Sequence, residues 1–229
     1  TITATVEDGA GETASGSATL TVSAQVCPTF DDVIEWGTVE SDEVVEASGL
    51  VYSLSNPGVL WTHNDSGGAP EVHAMAEDGS HLGTWDLDTS IRDFEDIATG
   101  WNDELNAWAL YAGDIGDNAV SRDEIVILIV PEPAVAPDQA PVFETLADVG
   151  QMKLTYPDGP NNCESIFVDP ITNALVVITK DGGGDTAVFK KDGPHTAGWE
   201  GELEWVADLD LSSAPYSGSR SATAADIHP

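Results

Sequence analysis

At 229 residues, with 41 Asp and Glu against 7 Lys and Arg, the chain carries a formal charge of −34. That field repels phosphate backbones and anionic membrane surfaces, which all but excludes nucleic-acid binding. Disorder is the weaker reading of the same charge, because 41% of the residues are hydrophobic and seven are Trp, enough for a packed core.

In chain order, residues 1–6 and 17–22 alternate Thr or Ser with apolar side chains around the turn formers of 7–12, which predicts a two-stranded hairpin. Residues 26–45, with Cys27-Pro28 and an acidic run from Glu40 to Glu46, read as a linker or entry strand. From residue 46 the chain repeats itself. Short apolar strands opening on a small or acidic residue fall at 48–52, 95–99 and 164–168, and a fourth begins at 223–227. Each of the first three leads to a second strand with a polar, Gly-rich end (59–67, 109–118, 175–183). A third strand follows (71–76, 124–130, 186–190) and closes on a turn or Pro. The longest apolar run, Ile125 to Val130 between Asp123-Glu124 and Pro131, predicts a buried strand and falls short of the ~18 residues of a membrane span. No signal peptide opens the chain as given.

Repeats of ~40–50 residues with loop insertions and β-type alternation are those of propeller blades. The expected fold is therefore all-β: a partial β-propeller over 46–229, with three blades and the start of a fourth. A ring needs at least ~4 blades, so further blades are expected in a longer parent chain. The segment 1–25 resembles the C-terminal hairpin of a bacterial immunoglobulin-like domain, whose other strands are then expected upstream.

A wider resemblance rests on Ala47-Ser48-Gly49-Leu50, Leu60-Trp61-Thr62-His63-Asn64-Asp65-Ser66-Gly67, Asp93-Phe94-Glu95-Asp96-Ile97-Ala98, Tyr111-Ala112-Gly113-Asp114-Ile115-Gly116-Asp117-Asn118 and Tyr156-Pro157-Asp158-Gly159. Over roughly 46–229 the chain resembles a family of secreted bacterial β-propeller proteins without an assigned activity. The resemblance implies a propeller and an exported, extracellular or cell-surface protein, and no catalytic residue. A more distant likeness, to the calcium-dependent β-propeller phytases, rests on fold and carboxylate richness alone and brings no active site with it.

In a propeller the first strand of each blade lines the axis, so Glu95, Asp96, Glu164 and Asp226 are expected to converge there. Crowded carboxylates repel unless protonated or bridged by a hard cation, which makes calcium the expected cofactor. The competing reading is that these acids cap strands or face water. A second candidate set comes from the repeated loops: Asn64, Asp65, Asp114, Asp117, Asn118, Asp181 and Asp185 offer hard oxygens on turn-forming backbone, without the spacing of an EF-hand. Asx turns explain many such loops equally well. His63 is the one histidine in a repeated polar loop and a candidate base or ligand contact. The five histidines form no HExxH, no GxSxG elbow occurs, and Gly182-Gly183-Gly184 lacks the Lys-Ser/Thr of a phosphate loop. The tryptophans read as packing between blades before a carbohydrate platform.

Cys27 and Cys163 fit neither a zinc site nor CxxC. Either they pair, which implies an oxidising compartment, or they are unrelated buried thiols. The acidity itself fits adaptation to concentrated salt as well as calcium, and the two coexist. The leading expectation is an exported, calcium-stabilised propeller that recognises an extracellular ligand or cell-surface component. The alternatives are a calcium-dependent hydrolase of phosphoesters or related esters, and a structural surface-layer or filament component. With three arginines, Arg92, Arg122 and Arg220, a hydrolase would have to leave phosphate clamping to the metals.

Overall fold

The computed structural model describes residues 2–7, 13–18, 34–181, 185–213 and 220–227. The chain divides into two units, Thr1–Glu35 and Trp36–Pro229. In the first, β1 (Ile2–Glu7) pairs antiparallel with β2 (Thr13–Ala18), in a register from Ile2 opposite Ala18 to Glu7 opposite Thr13. The hairpin is thus tighter than expected: its second strand begins at Thr13 instead of Ser17, and residues 19–22 lie outside the described ones. Of the 26–45 linker, residues 36–45 belong to the second unit, where Glu40 N–H donates to Gly79 O at 3.0 Å.

Three sheets make up the second unit, each built on an antiparallel up-and-down meander of four strands. The first runs β3 (Ala47–Tyr52), β4 (Val59–Asn64), β5 (Glu71–Ala76) and β6 (His81–Asp86). The second runs β7 (Phe94–Asn102), β8 (Ala107–Asp114), β9 (Ile125–Pro131) and β11 (Gly150–Thr155). The third is β12 (Cys163–Val168), β13 (Leu175–Thr179), β14 (Asp185–Lys191) and β16 (Glu204–Asp210). The three expected strands of each repeat form, and a fourth that the sequence did not mark, β6, β11 or β16, completes each sheet, by a direct hairpin in the first and after a longer connection in the other two. Two short strands were not expected. β10 (Val142–Thr145) lies parallel to β6, and β15 (Glu200–Glu202) lies parallel to β11.

The first strands gather side by side, β3 against β7 and β7 against β12. Ser48 Oγ donates to Glu95 O at 2.8 Å across the first of these seams. At the second, the backbone of Gly100 comes so close to β12 that a Cβ there would lie 2.6 Å from Val168 Cγ1. A methyl group must push the two strands apart, so Gly100→Ala is expected to lower stability by about 1–3 kcal/mol, read as an earlier urea midpoint with an unchanged m-value. Among the described residues the sheets close neither a barrel nor a ring. The segment 223–227 forms no strand; it reaches the first strands through Ala225 N–H, which donates to Asp96 Oδ2 at 3.1 Å.

Two cores separate the three sheets. Val51, Trp61, Val72, Leu82 and Trp85 of the first sheet pack on Phe94, Ile97, Leu110, Leu128 and Val130 of the second. On its other face Tyr111, Ile127, Ile129, Met152 and Leu154 meet Ile166, Leu175, Val177 and Phe189 of the third. Alternation along β9 sends Ile127 and Ile129 to one core and Leu128 and Val130 to the other. This is why residues 125–130 are continuously apolar: a strand covered on both faces has no solvent side on which to place polar residues. Trp61 and Trp85 pack with tilted rings in the first core, ring centroids 5.2 Å apart, while Trp205 stands 52% exposed on β16. Cys163 is a free, fully buried thiol 3.1 Å from Ile178 O, pushed up to about 12 by burial; Cys27 lies outside the described residues.

Candidate metal centre

The start of β7 carries Asp93 and Glu95 on either side of Phe94. Because side chains alternate along an extended chain, the two carboxylates share one face while Phe94 enters the core on the other. The loop after β4 brings Asp65 to the same place, so that carboxylate oxygens of Asp65, Asp93 and Glu95 all lie within 4.8 Å of one another. Backbone hydrogen bonds hold this arrangement. Asp93 O accepts from Ile115 and Gly116 N–H, both at 3.1 Å, and Asp93 N–H donates to Asp114 Oδ1 at 2.9 Å. Gly116 packs so tightly beneath the pair that a Cβ there would collide with both Asp93 Oδ2 and Glu95 Oε1.

Charge around the three acids is poorly compensated. Burial, then Glu164, Asp65 and Asp93, push Glu95 up to about 8, with Lys180 as the opposing charge. Burial also raises Asp93, countered by a hydrogen bond from Ser66 and by Arg122. Both nearby cations are already engaged: Lys180 pairs with Glu164, and Arg122 Nη1 pairs with Asp114 at 2.8 Å and donates to Gly116 O at 2.9 Å. A divalent cation at this point would relieve the repulsion, and the all-oxygen donor set suits a hard ion.

Of the acids expected at the axis, Glu95 alone belongs to this cluster. Glu164 faces it electrostatically but is tied to Lys180. Asp96, 1% exposed, points away into the protein: Oδ1 accepts from Ile97 N–H (2.9 Å) and Oδ2 from Ile166 N–H (2.8 Å) and Ala225 N–H (3.1 Å). Burial raises it to about 7 against these bonds. Its carboxylate is the tie between neighbouring first strands. Asp226 is exposed and accepts from Ile227 N–H at 2.8 Å.

Of the loop set, Asp65 alone joins the cluster. Asp114 is consumed by Arg122, and Asp117 Oδ2 accepts from the backbone N–H of Ser121 (2.5 Å) and Arg122 (2.6 Å), closing the loop on itself. Asn118 is exposed, 3.4 Å from Asn162 Nδ2; Asp181 is exposed, its carbonyl accepting from Ser221 Oγ. Asp185 sits opposite Asp210 in the sheet register. His63, fully buried, has Nδ1 2.9 Å from Asn64 O and Nε2 3.2 Å from Gly49 N–H. The carbonyl takes a proton from Nδ1 and the amide gives one to Nε2, which fixes a neutral tautomer with no nitrogen to spare. Burial accordingly lowers its pKa. Asn64 clamps the chain ahead of β3, accepting from Val45 and Glu46 N–H and donating to Glu43 O.

A second cluster, Glu43, Glu71 and His73, was not expected. Its Glu43 and Glu71 line a recess of about 320 Å³ with Thr84, Asp86 and Glu144. Thr84 gives its hydroxyl proton to Glu43 Oε2 at 3.0 Å, so it accepts from His73 Nδ1, also at 3.0 Å. Burial and then His81 lower His73 to about 4, while burial and then Glu43 and Asp86 raise Glu71. The signal for both clusters was in the sequence. Asp93 and Glu95, like Glu71 and His73, are two apart on a strand, and such pairs share a face.

At the other end of the first strands the lining is largely apolar, with Asp103, Asp169 and Asp226 among it. Val51, Tyr52, Gly100, Trp101, Trp108 and Val168 line a cleft of about 700 Å³. The chain matches no model of a known protein family and no curated protein.

Proposed function

We propose that the three sheets are blades of a β-propeller, with 223–227 leading into a fourth, and that the chain is a calcium-stabilised recognition or adhesion module of an exported protein. The observation that carries the reading is the Asp65–Asp93–Glu95 cluster, where three carboxylate oxygens meet at the root of the first strands with both neighbouring cations engaged elsewhere. Gathering of the first strands supports the blade reading. So does the resemblance of the repeated motifs to secreted propellers.

In this reading the ion neutralises the cluster, fixes the loop after β4 against β7 and the Ile115–Gly116 turn, and leaves coordination positions for an oxygen-rich ligand. The hydrolase alternative draws less support. His63 is locked in backbone hydrogen bonds, and Arg122 is buried on Asp114, so neither a free base nor a phosphate clamp adjoins the cluster.

The test is calorimetry with calcium and a chelator in concentrated sodium chloride, which removes simple screening from the comparison. Binding in the ~10⁻⁴–10⁻³ M range of extracellular sites is expected. At 100 times Kd the ion should add about 2.7 kcal/mol of stability. Asp93→Asn with Glu95→Gln should abolish both effects and leave the fold intact. Melting indifferent to calcium and chelator alike would refute the proposal.

A further inference from the structure

The outer edges of the first two sheets are closed by the same device. β10 lies parallel along β6, and Leu146 N–H donates to Asp86 O at 2.7 Å. β15 lies parallel along β11, with Lys153 N–H on Trp199 O and Leu203 N–H on Thr155 O, both 2.9 Å. Each strap is inserted between the third and fourth strands of one sheet and covers the fourth strand of the sheet before it. The straps share a layout, an apolar residue followed four positions later by Leu: Val142 and Leu146, Trp199 and Leu203. In the strands they cover, Leu82, Trp85, Met152 and Leu154 are at most 1% exposed, and Trp85 Nε1–H donates to Glu144 of its strap at 3.3 Å.

The third sheet breaks the pattern. β16 occupies the same fourth-strand position, and among the described residues no strap covers it. Its apolar side chains stay open, with Trp205 52%, Val206 45% and Leu209 40% exposed. By register the β16 residue in the place of Trp85 is Leu209, one of these open side chains, while Trp205 Nε1–H turns to Asp208 of its own strand at 3.2 Å.

We infer that β16 is a docking edge for a parallel strand of the strap type, apolar at one end and Leu four residues on, supplied by a further module of the same kind. An open edge offers a row of backbone donors and acceptors that strand addition satisfies, and the exposed apolar residues give the incoming side chains their seats. The three- and four-residue lengths of β15 and β10 set the size of the insert. This rests on the reading of the sheets as repeats of one module and not on the calcium centre.

The experiment appends a copy of residues 140–147 to the full chain through a flexible Gly/Ser linker, which holds it near millimolar effective concentration. The readouts are amide exchange along Glu204–Asp210 and the emission of Trp205 in a variant lacking the other exposed Trp, Trp36→Phe. With the strap attached, β16 amides should exchange at least ~10-fold more slowly, and the emission should shift to the blue. A Phe143→Pro copy, which removes a strand N–H, should do neither. Equal exchange with both copies overturns the inference. So does protection of the outward-facing β16 amides, those not bonded to β14, in the chain without a strap, or protection that rises with protein concentration, which would mark pairing between copies. Calcium binding enters none of these readouts, so its failure and this one are distinguishable.

Discussion

Asp96→Ala should lower the stability of the second unit by about 3–5 kcal/mol, the largest effect expected of any single exposed or buried acid. The residue accepts three backbone N–H bonds, one from its own strand, one from β12 and one from the 223–227 segment. An unmade buried hydrogen bond costs roughly 1–3 kcal/mol, and the alanine leaves three donors facing a gap that water only partly fills. Asp96→Asn should fall between wild type and alanine, because its single oxygen can serve the two donors at Oδ2 while its NH₂ then opposes the third. Urea unfolding measures the total. Exchange at the Ile166 and Ala225 amides, accelerated well before global unfolding, identifies the cause. An alanine variant within about 0.5 kcal/mol of wild type would mean the carboxylate is solvated and ties nothing together.

Without metal, stability should fall as pH rises from about 6.5 to 8, and calcium should flatten the upper part of that fall. Glu95 titrates near 8 in the fold, raised by burial and by Glu164, Asp65 and Asp93, and Asp96 near 7, raised by burial. In the unfolded chain both ionise near 4. Between those values the fold holds more protons than the unfolded chain, so stability is complete below about 4 and is lost as pH climbs through the folded values. For Glu95 the loss is on the order of 2 kcal/mol once partial solvation is allowed for. Buried His73 and His195, lowered to about 4, act in the opposite sense and only below their unfolded value near 6.5, so pH 7–8 isolates the carboxylates. Glu95→Gln should remove the slope between 7 and 8 and the response to calcium together, leaving the contribution of Asp96. Denaturant midpoints at half-unit intervals, with calcium and with chelator, give the comparison; a Glu95→Gln profile identical to wild type would dismiss the crowding argument.

The regular part of this fold was legible because its signal is local. Alternation and turn residues marked nine strands, and the doubly apolar run at 125–130 marked a strand buried on both faces. β10 and β15 were not legible. Glu200-Gly201-Glu202 has no apolar alternation, and both straps are defined by partners contributed by the preceding sheet. The site was half legible for a related reason. Comparing equivalent positions across the repeats found Asp65 and Glu95 but passed over Asp93, which has no counterpart in the other repeats, and over Glu71 and His73. The same comparison overvalued Asp114 and Asp117. Their role is set by Arg122, a residue unique to one loop, whose guanidinium and backbone take up both carboxylates. Composition gave the charge and not its disposition: whether an acid such as Asp96 repels its neighbours or binds their amides depends on donors seventy or more residues away.

The backward reach of the straps has a consequence for synthesis. The first sheet is complete in its own strands at Asp86, yet its edge is closed by Val142–Thr145, and the second, complete at Thr155, waits for Glu200–Glu202. Emerging from a ribosome at ~5–20 residues per second, each sheet must spend several seconds with a bare hydrogen-bonding margin before its cover arrives. Finishing of one module is thus contingent on translation of the next, an order of assembly running from the N-terminus that a circularly permuted or shuffled version of the chain would not reproduce.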